Sequence, residues 1–156
     1  SEKKIVKLYN KKNNSFFNLD LKNKKKITIP SITNYFILFA DLKDKTLNNN
    51  IIKNLKKHSN KEKYFFSSIK SNHRKFEEKR YWRGPVWINC NWIIYQGLKN
   101  KDNRFANQIK KKTIDLVKQK GFNEYFSCKT GKGFGATNFS WTASLFLDLI
   151  LENKYE

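Results

Sequence analysis

The segment "YWRGPVWINCNWIIYQGL", residues 81–98, decides how this chain is read. It holds three of the four tryptophans and one of the two prolines of a chain otherwise rich in lysine, asparagine and isoleucine. Pro85 suits the first turn of a helix, where its missing N–H costs no bond and its fixed φ is already helical. The segment therefore predicts a helix from near Pro85 to about Asn100. Trp87, Asn91, Ile94 and Leu98 then form one stripe, with Cys90 and Tyr95 beside it. Gly84 and Pro85 make a turn ahead of the helix, flanked by Tyr81, Trp82 and Trp87. Tyr81 and Trp82 sit on the loop and read as binding residues, because flat rings with one polar edge suit sugar faces. Arg83 is placed to hold a substrate carboxylate or a neighbouring acid. Trp92 and Trp141 read first as helix-packing residues.

Helical periodicity continues downstream. "NRFANQIKKKTIDLVKQKG" predicts a helix with Phe105, Ala106, Ile109, Ile114 and Val117 apolar and Gly121 as its stop. A glycine-rich loop, "GFNEYFSCKTGKGFGATN", leads to a last helix capped by Asn138 or Ser140. Trp141, Leu145, Leu149 and Ile150 supply its apolar face. Upstream, residues 1–30 read as turns and short extended pieces. "ITNYFILFADL" predicts a compact helix capped by Ser31 or Thr33, and "KTLNNNIIKNLKK" a second, with Leu47, Ile51, Ile52 and Leu55 inward. Residues 58–80 show no period and read as a long aromatic loop, with His58 and His73 exposed. No strand–helix alternation suggests a parallel sheet, so the fold class is mostly α.

Composition limits the partners. The 156 residues supply one core. The formal charge of +20 rests on 33 basic residues of which four are arginine, with the lysines spread along the whole chain. Phosphate-gripping proteins favour arginine's bidentate fork, so no specific nucleic-acid partner is expected. No window approaches the roughly 18 apolar residues of a membrane span. The amino-terminal segment lacks a signal-peptide core, which makes the cytoplasm the expected location. There is no methionine, even at position 1, so the chain is expected to be a piece of something longer. Cys90 and Cys128 lack metal-ligand spacing and read as buried thiols; no cofactor or metal motif appears.

Thirteen carboxylates are available. Glu77 and Glu78 lie in a charged run and read as solvated, and Asp115 and Asp148 lie inside helices. Glu124 stands apart, flanked by Phe122, Tyr125 and Phe126 ahead of "TGKGFG". A carboxylate on an aromatic loop is either a structural anchor or a group placed for acid–base work.

"YWRGPVWINCNWIIYQGL" followed some forty residues on by "GFNEYFSCKTGKGFGATNFSWTASLFLDLI" resembles glycoside hydrolase family 63, nearest its bacterial mannosylglycerate and glucosylglycerate hydrolases. Processing α-glucosidase I is a more distant relative. "SFFNLDLKNKKKITIPSITNYFILFADL" is similar to the family's upstream segment, so the likeness spans about residues 15–152. It implies that residues 1–156 are a single partial domain, the carboxyl-terminal part of an (α/α)6 barrel. It also implies inverting hydrolysis of an α-glycosidic bond in a small glucoside or mannoside. Glu124 then stands at the position of the general base. Tyr81 and Trp82 match the loop that closes on the sugar, with Arg83, Gly84, Trp87, Tyr125 and Trp141 around it. Asn138 stands where the family often has a glutamine before "FSWTA". The family's general acid, an aspartate, lies upstream of the matched region. The resemblance therefore implies a base-bearing piece that is inactive alone and is completed by the barrel's amino-terminal part. The alternative is a non-catalytic carbohydrate-binding or interaction module.

Overall fold

The structure, a computed structural model, describes residues 5–40, 42–59 and 62–152. Two small antiparallel hairpins come first. β1 (Tyr9–Asn10) pairs with β2 (Ser15–Phe16), and β3 (Asn18–Leu19) with β4 (Lys26–Ile27). Asp20 closes the second turn by accepting from the Lys22 and Asn23 amides.

Residues Ile32–Ala40 form a 3₁₀ helix and not the α-helix that the sequence suggests. Its first turn closes from Asn34 N–H to the Ser31 carbonyl, while Ser31 is held in a bridge to Ile69. At three residues per turn Ile32, Tyr35 and Leu38 lie above one another, and all three are buried. The tighter winding puts the whole apolar row into the core. The expected Ser31 cap is present, its hydroxyl accepting from Thr33 N–H.

α1 (Lys45–Ser59) carries Leu47, Ile51, Ile52 and Leu55 into the core, as its period requires, with the Asp44 carboxylate accepting from Leu47 N–H. α2 (Ile88–Leu98) is the central helix. It crosses the 3₁₀ helix so closely at Gly97 that a Cβ there would lie 2.7 Å from Leu38 C and Phe39 N. α3 (Asn103–Lys120) packs along α2; the Asp102 side chain caps it and Gly121, at φ +79°, ends it. β5 (Tyr125–Phe126) and β6 (Gly133–Phe134) form a hairpin inside the glycine-rich segment. α4 (Ser140–Leu151) closes the described chain against α2 and α3.

Five further expectations change. α2 begins three residues beyond Pro85, because Val86 is drawn into an extended bridge with Ser67 on one side and Phe126 on the other. The 62–80 segment is no free loop: Phe65, Phe66, Ser67, Ser68 and Ile69 are all buried. His58 is buried rather than exposed, because α1 runs on to Ser59 and turns the ring toward Tyr35 and Phe66. Neither Asn138 nor Ser140 caps α4. Phe139 precedes the helix, and Thr142 donates instead to the Asn123 carbonyl. Of the four residues assigned to the apolar face of α4 only Leu149 is buried, while Trp141 is 47% exposed.

Cys90 and Cys128 are free and buried, as read, and burial pushes both thiols up to about 12. Neither is a nucleophile at neutral pH. Among the described residues no helix is long and apolar enough to cross a membrane.

Candidate active site

Three strands of irregular chain converge behind α2. Val86 N–H donates to the Phe126 carbonyl at 2.7 Å, and Phe126 N–H returns the bond at 2.9 Å. Ser67 lies on the far edge of Val86, and Ser68 N–H binds the Pro85 carbonyl. This small sheet sets Trp87, which follows Val86, beside Tyr125, which precedes Phe126. Their rings lie 5.1 Å apart at 28°.

Trp87 is 2% exposed and forms the floor of an aromatic cluster. Trp82 stacks on it at 4.3 Å with the planes 6° apart. Tyr81 stands edge-on to both Trp87, at 4.8 Å, and Tyr125, at 5.5 Å. The Trp87 indole N–H donates to the Tyr81 carbonyl at 3.1 Å. Tyr81 adopts φ +31°, a left-handed conformation that a bulky residue holds only under constraint. Trp82 and Tyr81 remain 41% and 48% exposed, so the floor is buried and the rings above it face solvent.

Glu124 stands at the edge of this cluster. Its Oε2 accepts from Ala136 N–H at 3.1 Å, and its own N–H donates to the Ala136 carbonyl, just past the end of the β5–β6 hairpin. Gly135, at φ +72°, leaves the space: a Cβ there would lie 2.4 Å from Oε2. Interaction with the nearby Glu124 carboxylate raises the Tyr81 pKa, because a neutral hydroxyl is the form that suits a neighbouring anion. Glu124 is half-buried. A carboxylate held this way has one oxygen engaged by the backbone and stands beside an aromatic cluster, an arrangement suited to accepting a proton from water.

The other expected residues fall into place unevenly. Arg83 pairs with Glu77 at 2.7 Å, so of its two readings the structure displays the neighbouring acid. Glu77 also receives Arg80, and Glu78 receives the Ser127 hydroxyl and Lys129 at 3.7 Å, so neither is the merely solvated acid expected. The turn at Gly84 draws this acidic segment in, packing so tightly against the Glu77 carbonyl that no Cβ would fit between them. Asn138 is exposed at φ +52°. Trp141 packs against Phe139 at 6.5 Å, outside the cluster of four rings. Their neighbours tie this stretch to the site: Phe139 N–H donates to the Phe122 carbonyl and the Thr142 hydroxyl to the Asn123 carbonyl. Trp92 packs as expected and donates to Asp148 at 2.5 Å, so Asp148 pairs across helices and not within its own.

Two supporting residues escaped the sequence reading. Asn91, assigned to an apolar stripe, accepts from Phe66 N–H at 2.9 Å and donates to the Phe65 carbonyl and Thr113 Oγ1. Its signal was an amide inside a buried stripe, which must be bonded. Glu62 drew no attention at all, and its side chain is 1% exposed.

Residues 1–142 match the family model described as the mannosylglycerate hydrolase MGH1-like glycoside hydrolase domain. A mannosylglycerate hydrolase of Thermus thermophilus is 30% identical over 141 residues, 90% of this chain and 34% of its own length. That of Rubrobacter radiotolerans is 44% identical over 80 residues, 49% of this chain and 18% of its own. This chain thus spans about a third or less of the curated relatives it matches. The crystal structure of a GH63 mannosylglycerate hydrolase from another strain of Thermus thermophilus, in complex with glucose, superimposes with a TM-score of 0.87 at 29% identity. The match covers 94% of this chain and 38% of that one. Neutral trehalase Nth1 from Saccharomyces cerevisiae shares the fold, at TM-score 0.70 and 16% identity. The mostly helical architecture is that of part of the family's (α/α)6 barrel, and the chain belongs to the mannosylglycerate hydrolase MGH1-like members of glycoside hydrolase family 63.

Proposed function

We infer that residues 1–156 form the base-bearing, carboxyl-terminal part of an (α/α)6 α-glycosidase, with Glu124 as the general base. The substrate is a small α-mannoside or α-glucoside, of which mannosylglycerate and glucosylglycerate are the first to try. The observation that carries this reading is the Glu124 carboxylate, fixed by Ala136 N–H and close to Tyr81 at the edge of four clustered rings. In the reaction, Trp82 and Tyr81 cover a sugar face and Trp87 and Tyr125 keep the floor dry. Glu124 takes a proton from water as it attacks the anomeric carbon. Inversion requires a second carboxylic acid on the opposite face, about 6.5–9.5 Å from the base, to protonate the leaving oxygen. Glu77 and Glu78 are committed to Arg80, Arg83, Ser127 and Lys129. The acid is assigned to an upstream part of the barrel, as the resemblance to the family implies. α4 offers the surface for that part, with Trp141 and Leu147 47% and 50% exposed.

The test compares this chain alone with a chimera in which the upstream part of the Thermus relative is joined to it. Both are assayed on mannosylglycerate and glucosylglycerate. The chain alone should release no sugar and the chimera should hydrolyse at least one substrate with inversion. Glu124→Gln in the chimera should lower turnover by about 10²–10⁴-fold with little change in affinity. Robust hydrolysis by the 156-residue chain alone would sink the proposal.

The exposure of Tyr81 and Trp82 favours a second reading, a carbohydrate-binding module without catalysis. It requires sugar affinity in the chain alone that Glu124→Gln leaves unchanged, and an inactive chimera.

A further inference from the structure

Glu62 is the most deeply buried carboxylate among the described residues that the proposed mechanism does not use. Its side chain is 1% exposed, under the segment that leads into the site. Oε2 accepts from Ser67 N–H at 2.7 Å and Oε1 accepts from the Ser67 hydroxyl. His58 Nε2 lies 3.8 Å from Oε1, but the two do not form an ion pair. Burial, with Lys70 nearby, holds the imidazole down to about 3, so it is neutral at physiological pH. Burial raises the Glu62 carboxyl in its turn. The group is thus a buried acceptor held by the main-chain N–H and the hydroxyl of one serine, Ser67. Such a network is costly unless every member is paired, so a carboxylate here needs a reason.

Its reach supplies one. Ser67, gripped by Glu62 through both main chain and side chain, is the residue that bridges Val86, and Val86 bridges Phe126. Trp87 follows Val86, and Tyr125 and Glu124 precede Phe126. One rigid path therefore runs from Glu62 through Ser67 and Val86 to the aromatic floor and the proposed base.

The geometry points to Glu62 as a positioning residue of the active site: its carboxylate fixes Ser67, and through the Ser67–Val86–Phe126 sheet it sets Trp87 and Tyr125 against Glu124. Its importance for catalysis rests on the glycosidase reading, whereas the positioning itself can be measured on the chain without any sugar.

Glu62→Gln keeps the shape of the side chain but replaces one acceptor oxygen with a donor, so donors face donors. Hydrogen exchange by NMR reads the result at three protons: the Val86 and Phe126 amides and the Trp87 indole N–H. Ile52→Ala on α1 is the control, a core truncation remote from the sheet that lowers stability everywhere. In Glu62→Gln the three reporters should lose at least tenfold more protection than the amides of Ile94 and Leu98. In Ile52→Ala all five should fall by a common factor. Ser67→Ala, which removes one donor and spares the main chain, should show the same local loss to a smaller degree, and it serves if Glu62→Gln does not fold. Uniform loss in both Glu62→Gln and Ser67→Ala, or in Ser67→Ala alone where the first is unfolded, would overturn the positioning role. That outcome would leave the assignment of Glu124 untouched, and an inactive chimera would leave this one untouched.

Discussion

At Gly84 the chain has no room for a single methyl group. A Cβ would lie 2.1 Å from the Glu77 carbonyl oxygen and 2.8 Å from Glu78 Cα, both main-chain atoms that cannot swing away. The φ of −171° is ordinary extended backbone, so the constraint is steric and not conformational. Gly84→Ala should therefore destabilise by about 1–3 kcal/mol, the usual range for overpacking, read as a lower denaturant midpoint at unchanged slope. It should also loosen the Arg83–Glu77 pair beside it. Glu124 differs in kind, since the proposed function gives it a role beyond its contacts. Trp82 and Tyr81 lie between these cases: their outer faces are free, and in the chimera Trp82→Ala should raise the Michaelis constant at least as much as it lowers turnover, because stacking serves ground and transition states alike. An unchanged Michaelis constant would remove Trp82 from the sugar site. Tyr81 and Trp82 were legible in the sequence as loop aromatics. Arg83 was legible only as a choice between two partners, and the choice needed Glu77 in space.

Elements depend on buried polar groups as much as on apolar stripes. α2 is buried on most sides, and Asn91 in its middle holds the Phe65–Phe66 main chain and Thr113 of α3 together. Asn91→Leu fits the apolar pattern of the helix better than the native residue does. It should nonetheless cost about 2–6 kcal/mol, because two buried main-chain groups lose their partner at roughly 1–3 kcal/mol each. Thermal unfolding of the variant checks this; a melting temperature at or above the parent's would show that the amide is dispensable. The same contrast separates the two helices the sequence described differently from the structure. In the 3₁₀ helix a row of every third residue was hidden within a continuous apolar run, where helical and 3₁₀ periods look alike. At α2 the proline signal for a first turn was overridden by two strand bonds from Phe126, a residue about forty positions away in the chain.

For the whole molecule, acid is the informative variable. His58 titrates near 6.5 when unfolded but is held down to about 3 in the fold, by burial first and by Lys70 second. A depressed histidine is neutral in the folded state, so its stability contribution is complete above about pH 6.5. It is lost as pH falls from there toward 3, at up to about 1.4 kcal/mol per pH unit. Glu62 works in the opposite sense: burial raises its carboxyl, so acidification toward 4.5 favours the folded form. Between about pH 6.5 and 5.5 the difference in unfolding free energy between the parent chain and His58→Gln should therefore shrink as pH falls, with a slope approaching one proton. Parallel curves would mean that His58 is not buried as a neutral ring. Over the whole chain, the periodic helices α1 and α3, the glycine stop at Gly121, the buried thiols and the aromatic loop with its single well-placed acid follow from the amino-acid sequence by itself, because each depends on neighbours within a few turns. The Ser67–Val86–Phe126 sheet, the burial of His58 and Glu62, the pairing of Trp92 with Asp148 and the stacking of Trp82 on Trp87 were decided only by tertiary structure. Each joins groups whose meeting no local period encodes, and a buried charge or amide reveals its purpose only when its partners are in place.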